Sequence, residues 1–116
     1  MDISDALASF SALSQRTRLQ VFQLLVCAEP QGLAAGEIAR QLGVPHNTLS
    51  SHLAVLSRAR WVAAERHSRF IVYHADLSHM KDTVEFLIHD CCADHPEVCG
   101  PPSTCPTICS NKPRRP

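Results

Sequence analysis

The hydrophobic pattern is helical from the first residues. Ile3, Leu7 and Phe10 recur at i, i+4 and i+7, which predicts an amphipathic helix over residues 3–13 with Asp2 or Ser4 near its cap. Ser14 has the chemistry of an N-cap for a second helix over residues 15–28, with Leu19, Phe22, Leu25 and Val26 turned inward. Glu29-Pro30-Gln31-Gly32 reads as a turn, and a third helix over residues 35–42 packs through Ile38 and Leu42. Gly43 closes that helix, because glycine adopts the left-handed conformation without strain. Pro45 suits the first position of a fourth helix, in which Leu49, Leu53 and Leu56 form one face. Over residues 61–73 the period shortens to two. Val62 and Ala64, then Phe70 and Val72, flank a tip at residues 65–69, predicting a hairpin that packs on the helices through Trp61, Phe70 and Val72. A fifth helix over residues 77–92 carries Leu77, Met80, Val84, Leu87 and Ile88 as an apolar stripe.

These elements predict a mainly α domain with a β-hairpin wing: four helices, the hairpin and a last helix. Helix, glycine turn and helix over residues 35–60 is the helix-turn-helix arrangement. The outer face of the fourth helix holds His46, Asn47, Ser50, Ser51, His52, Ser57, Arg58 and Arg60, with no carboxylate. Such a face suits the major groove of DNA, where Asn, Ser and His can bond base edges and Arg can reach phosphate. The hairpin tip carries Arg66, His67, Ser68 and Arg69, placed to lie over the adjacent backbone or minor groove. The apolar stripes of the first and last helices call for a partner. A two-fold homodimer through them sets two recognition helices about 34 Å apart, one turn of DNA.

Composition changes this picture in two ways. The 116 residues have a net charge of zero, yet the charge is segregated. Residues 40–69 hold five Arg against Glu65 alone, and residues 76–97 hold six carboxylates against Lys81. Arg16 and Arg18 open the second helix against its dipole, so a negative group beside them, on another element or on DNA, is expected. No secretory signal or membrane span is evident, and the expected location is the cytoplasm, with no membrane partner. There, the six cysteines are ligands or redox groups rather than structural disulfides. Residues 1–92 read as the DNA-binding and dimerisation domain, and residues 93–116 as a Cys/Pro-rich tail.

The order of elements resembles the ArsR/SmtB family of winged helix-turn-helix repressors. The resemblance rests on Leu13-Ser14-Gln15-Arg16-Thr17-Arg18-Leu19, Glu37-Ile38-Ala39-Arg40-Gln41-Leu42-Gly43, Thr48-Leu49-Ser50-Ser51-His52-Leu53-Ala54-Val55-Leu56 and Arg69-Phe70-Ile71-Val72-Tyr73. It implies a homodimer that binds double-stranded operator DNA and releases it on a metal, metalloid or other signal. The groove-reading positions it implies are His46, Thr48, Ser50 and Ser51, with Asn47 beside them; Arg58, Arg66 and Arg69 complete the expected DNA contacts. Pro45 stands where a Ser N-cap is common. The third helix lacks the Cys-x-Cys box of many arsenic and cadmium sensors. Of the zinc ligands on the last helix, Asp76, His79 and His89 have counterparts, while Ser78 and Cys92 stand where a second His is usual.

Cys27 reads as a buried inert thiol, leaving Cys91, Cys92 and Cys99, with Cys105 and Cys109 beyond. Pro96 and Gly100-Pro101-Pro102 let the chain fold back so that Cys99 meets the vicinal pair. Three thiolates suit a soft ion bound in a pyramid, and trivalent arsenic or antimony fits. The resemblance adds that some arsenite-responsive members carry three cysteines at this end of the last helix. No cofactor is required in this reading; As(III) or Sb(III) acts as inducer. Two alternatives stay open: a zinc or cadmium site that adds Cys105 or His95, and a redox switch pairing Cys91 or Cys92 with Cys99, Cys105 or Cys109. A thiol enzyme is disfavoured, because the vicinal pair lies at a helix C-terminus, where the dipole opposes thiolate.

Overall fold

The computed structural model describes residues 1–91, the side chains of Asp90 and Cys91 excepted. Five α-helices and a small sheet follow in the order α1 (Ile3–Leu13), α2 (Arg16–Ala28), β1 (Leu33–Ala34), α3 (Ala35–Leu42), α4 (His46–Arg58), β2 (Val62–His67), β3 (Phe70–Ala75) and α5 (Leu77–Phe86). α5 continues as a wider π-turn over Leu87–Cys91. The predicted mainly α fold with a β-hairpin wing is present.

Local chemistry explains most boundaries. Asp2 caps α1 in a reciprocal capping box with Asp5. Ser14 is not the N-cap of α2: it terminates α1, and Gln15 caps α2 by accepting from the Arg18 N–H. Gly43 takes φ +66° at the end of α3, as the left-handed cap requires. Pro45 precedes α4 as its N-cap residue rather than opening it. Asp76 caps α5 through the His79 N–H.

The sheet holds one strand more than the hairpin. β1 adds two residues antiparallel to the outer side of β3, giving the order β1-β3-β2. β2 and β3 pair from Val62↔Ala75 out to His67↔Phe70. Gly32, at φ +73°, makes the approach to β1 possible, since a Cβ there would lie 2.6 Å from the Tyr73 carbonyl oxygen. The core joins Val21, Phe22 and Leu25 of α2, Ile38 of α3 and Leu49, Leu53 and Leu56 of α4 to Trp61 and Val62 at the base of the hairpin.

Two predicted core positions, Leu19 and Phe70, face outward, and the stripes of the first and last helices, expected to need a partner, are largely exposed. Leu19 is exposed, and Val21 takes its place in the core. Phe70 is 55% exposed, because it pairs with His67 at the far end of the hairpin, away from the helices. On α1, Ala6, Ser9 and Ala12 turn inward while Ile3 and Leu7 are exposed. On α5, His79 and Thr83 are buried while Leu77, Val84 and Leu87 are exposed. The apolar stripes of the first and last helices therefore lie largely outside the chain's own core.

Candidate nucleic-acid interface

α4 is held from beneath by Leu49, Leu53 and Leu56, each at most 2% exposed. His46, Asn47, Thr48, Ser50, Ser51 and Arg58 are all exposed on the same helix. Their hydrogen bonds define what they can offer. The Ser50 hydroxyl donates to the His46 carbonyl (3.1 Å) and the Ser51 hydroxyl to that of Asn47 (3.5 Å), so both present lone pairs outward. Asn47 Oδ1 accepts from the Thr48 N–H (2.9 Å), which leaves its amide hydrogens as donors. Pro45 gives α4 no side-chain cap, so N–H groups of the first turn remain for an anionic acceptor such as phosphate.

The other predicted contact residues lie on the wing. Arg66 and Arg69 are exposed at its tip, and Ser68 takes φ +47° in the turn between the strands. His67 and Phe70 stack across the tip with ring centroids 5.6 Å apart and planes 19° from parallel. Glu65 does not stand free beside them. It accepts from His74 (Nε2 2.9 Å) and pairs with His67 (3.3 Å), and these two imidazoles, His74 first, hold its carboxyl below the usual carboxylate range. Arg40 of the basic segment is tied to Glu37 within α3. The Nε of Arg18 at the start of α2 is buried without a partner among the described residues.

A second network was not legible in the sequence. Glu29, at the end of α2, accepts from the Ala75 N–H (3.1 Å), and its carboxylate lies 3.1 Å from His74 Nδ1. His74 thus lies between two carboxylates and straps the hairpin to α2. Ser9 and His79 form a third: Ser9 Oγ lies 2.9 Å from His79 Nε2, and the Ser9 carbonyl accepts from the Trp61 indole (2.8 Å). These partners stand 45 and 70 residues apart along the chain, beyond the reach of any local pattern.

Two of the three zinc-type candidates have other roles. His79 is buried on Ser9, Asp76 caps α5, and no group of three or more metal-ligating side chains occurs among the described residues. Cys91 belongs to the π-turn by its backbone; its side chain, Cys92, Cys99 and the tail over residues 93–116 lie outside what the structure describes. Cys27 is corrected: it is half-buried and disulfide-bonded, not an inert thiol.

Helical core, glycine turn, anchored outer helix and wing define a winged helix-turn-helix protein. Residues 13–60 match the family described as a helix-turn-helix domain. The HTH-type transcriptional regulator KmtR of Mycobacterium tuberculosis is 35% identical over 75 residues, covering 65% of this chain. The chain spans about half, 55%, of that protein's length. HlyU from Vibrio cholerae, also solved in a reduced form, superposes with a TM-score of 0.62 at 26% identity, over 79% of this chain and 99% of that one. The homodimeric winged helix-turn-helix domain of Mb0332 from Mycobacterium bovis, a possible ArsR-family regulator, superposes at 0.59 with 25% identity, over 80% of this chain and 86% of that one. KmtR is named as a transcriptional regulator and Mb0332 as a possible one.

Proposed function

We propose that the chain is a homodimeric transcriptional repressor of the ArsR/SmtB type that reads operator DNA with α4 and the wing and is controlled through its cysteines. The observation that carries the DNA-binding reading is the outer face of α4, exposed, polar and free of carboxylates on a helix fixed by three buried leucines. Arg58, Arg66 and Arg69 add phosphate contacts around it. The exposed residues Ile3, Leu7, Leu77, Val84 and Leu87 on α1 and α5 form the dimer surface.

Two signals are distinguished by residue. Trivalent arsenic or antimony at Cys91, Cys92 and Cys99 is supported by the donor set. Thiol oxidation is favoured by a specific observation, the disulfide at Cys27 on α2, and fits the existence of a reduced form of HlyU. In that reaction two thiols give up two protons and two electrons to a peroxide, which leaves as water and alcohol or as two waters. Either signal acts at the helices that carry the dimer surface and the helix-turn-helix. A coupling of about 1–3 kcal/mol weakens operator binding roughly 5–150-fold.

The test is fluorescence anisotropy on a duplex selected from random sequence, with the protein reduced, treated with hydrogen peroxide, or reduced and given arsenite. Peroxide release that disappears in Cys27→Ser supports oxidation. Arsenite release that survives in Cys27→Ser but disappears in Cys91→Ser, Cys92→Ser and Cys99→Ser supports the metalloid. If neither reagent changes the affinity of the wild-type protein, control through cysteines is wrong.

A further inference from the structure

The hairpin tip is built unlike the rest of the surface. Phe70, large and apolar, is 55% exposed where its strand position offers no core to fill. It does not lie loosely: its ring is stacked on His67, so two flat side chains present one combined surface. Arg69 precedes Phe70 in the turn and Arg66 precedes His67 on β2, on the opposite face of the strand; both are exposed, and neither forms an ion pair among the described residues. The only carboxylate of the hairpin strands, Glu65, is drawn into bonds with His74 and His67. Burying an exposed Phe gains free energy only against an apolar surface, while two unpaired guanidinium groups at the same tip call for anionic surroundings. The minor groove of DNA meets both demands: its walls are deoxyribose carbons, its rims are phosphates, and it attracts inserted Arg.

We infer that Phe70, stacked on His67, is an apolar DNA contact that packs against the sugars of the minor groove, with Arg66 and Arg69 on the flanking phosphates. This rests on the proposed DNA-binding function and assigns the wing a part the charge pattern alone does not. Phe70 supplies apolar area whose binding is insensitive to salt, and the two arginines supply the part that is salt-dependent. The stack fixes the Phe ring before DNA arrives, so less side-chain freedom is lost on binding.

The experiment compares the full-length wild-type protein with Phe70→Ala, Phe70→Trp, Arg66→Ala and Arg69→Ala on a duplex selected from random sequence, over a range of salt concentrations. Phe70→Ala is expected to weaken binding about tenfold with an unchanged salt slope. Each Arg variant is expected to lower the slope by about one, the value for a single phosphate. Phe70→Trp should bind like wild type, and hydroxyl-radical protection beneath the wing should vanish in Phe70→Ala alone among the two Phe70 variants. Because Phe70 is outside the core, its Ala variant should unfold at the wild-type temperature, which distinguishes weaker binding from a damaged fold. Wild-type affinity in Phe70→Ala overturns the inference and leaves the DNA-binding reading standing. Failure of the wild-type protein to bind any selected duplex overturns the reading itself.

Discussion

The Ser9–His79–Trp61 junction makes a pH prediction with a definite sign. His79 is 5% exposed, with its ring edge-on to Trp61 at 4.7 Å and its Nε2 2.9 Å from Ser9 Oγ. Burial, the larger cause, and the positive charge of Arg60 hold its pKa below the ordinary 6.5; Asp76, Asp82 and Asp5 oppose them. The unfolded chain therefore binds this proton more readily than the folded one. Stability contributed by the neutral, buried ring is complete above about pH 6.5 and is lost as pH falls from there through the lower folded pKa. One such group can tilt stability by at most about 1.4 kcal/mol per pH unit. The perturbation is His79→Gln, which keeps a polar partner for Ser9 and removes the titration. Urea unfolding of the reduced protein between about pH 5 and pH 8 should show the wild-type chain losing stability on acidification faster than the variant. Ser9→Ala, which strips a buried imidazole of its partner, should cost about 1–3 kcal/mol at neutral pH. Equal pH dependence in wild type and His79→Gln, or a wild-type chain that gains on the variant as pH falls, would refute the argument.

Other substitutions test the fold at separate points. Leu53→Ala empties a fully enclosed site under α4 and should cost about 2–5 kcal/mol in chemical unfolding. Gly32→Ala drives a Cβ to within 2.6 Å of a backbone oxygen at a positive φ, and should lower the unfolding free energy by at least about 1 kcal/mol; Gly36→Ala, with nothing within 4 Å, should raise it by about 0.5–1 kcal/mol. Leu7→Asp combined with Val84→Asp places charge on the exposed stripe of α1 and α5, so sedimentation should show a monomer that retains its helical circular dichroism.

The elements legible in the sequence were those whose cause is local. The Leu49-Leu53-Leu56 spacing and the left-handed Gly43 each depend on a few neighbouring residues and are present as read; the hairpin after Trp61 is present too, but its burial does not alternate, since only Val62 of β2 is buried. Periodicity shows which residues share a face; it does not say what that face meets. Leu19 has the spacing of a core residue and is exposed, while Val21 packs inward. Phe70 failed for the same reason, since alternation cannot say where along a hairpin the helices stop giving cover. Strand β1 was invisible because two residues carry no period of their own; the free edge of β3 creates it. Cys27 was misread because its apolar neighbours describe its surroundings in the chain and not its disulfide. The exposed, acid-free face of α4 was legible because a stretch without carboxylates is a property of composition. The three C-terminal cysteines were legible only as a donor set.

The measurement closest to the central claim is the change in amide resonances when a selected duplex is added to isotope-labelled, reduced protein. Resonances of residues 46–58 in α4 and 66–70 at the wing should shift together and saturate at one duplex per dimer, while those of the exposed α1–α5 stripe should not change. Shifts confined to other elements, or none at DNA concentrations that saturate the complex, would contradict the assignment of α4 and the wing as the surface that reads DNA.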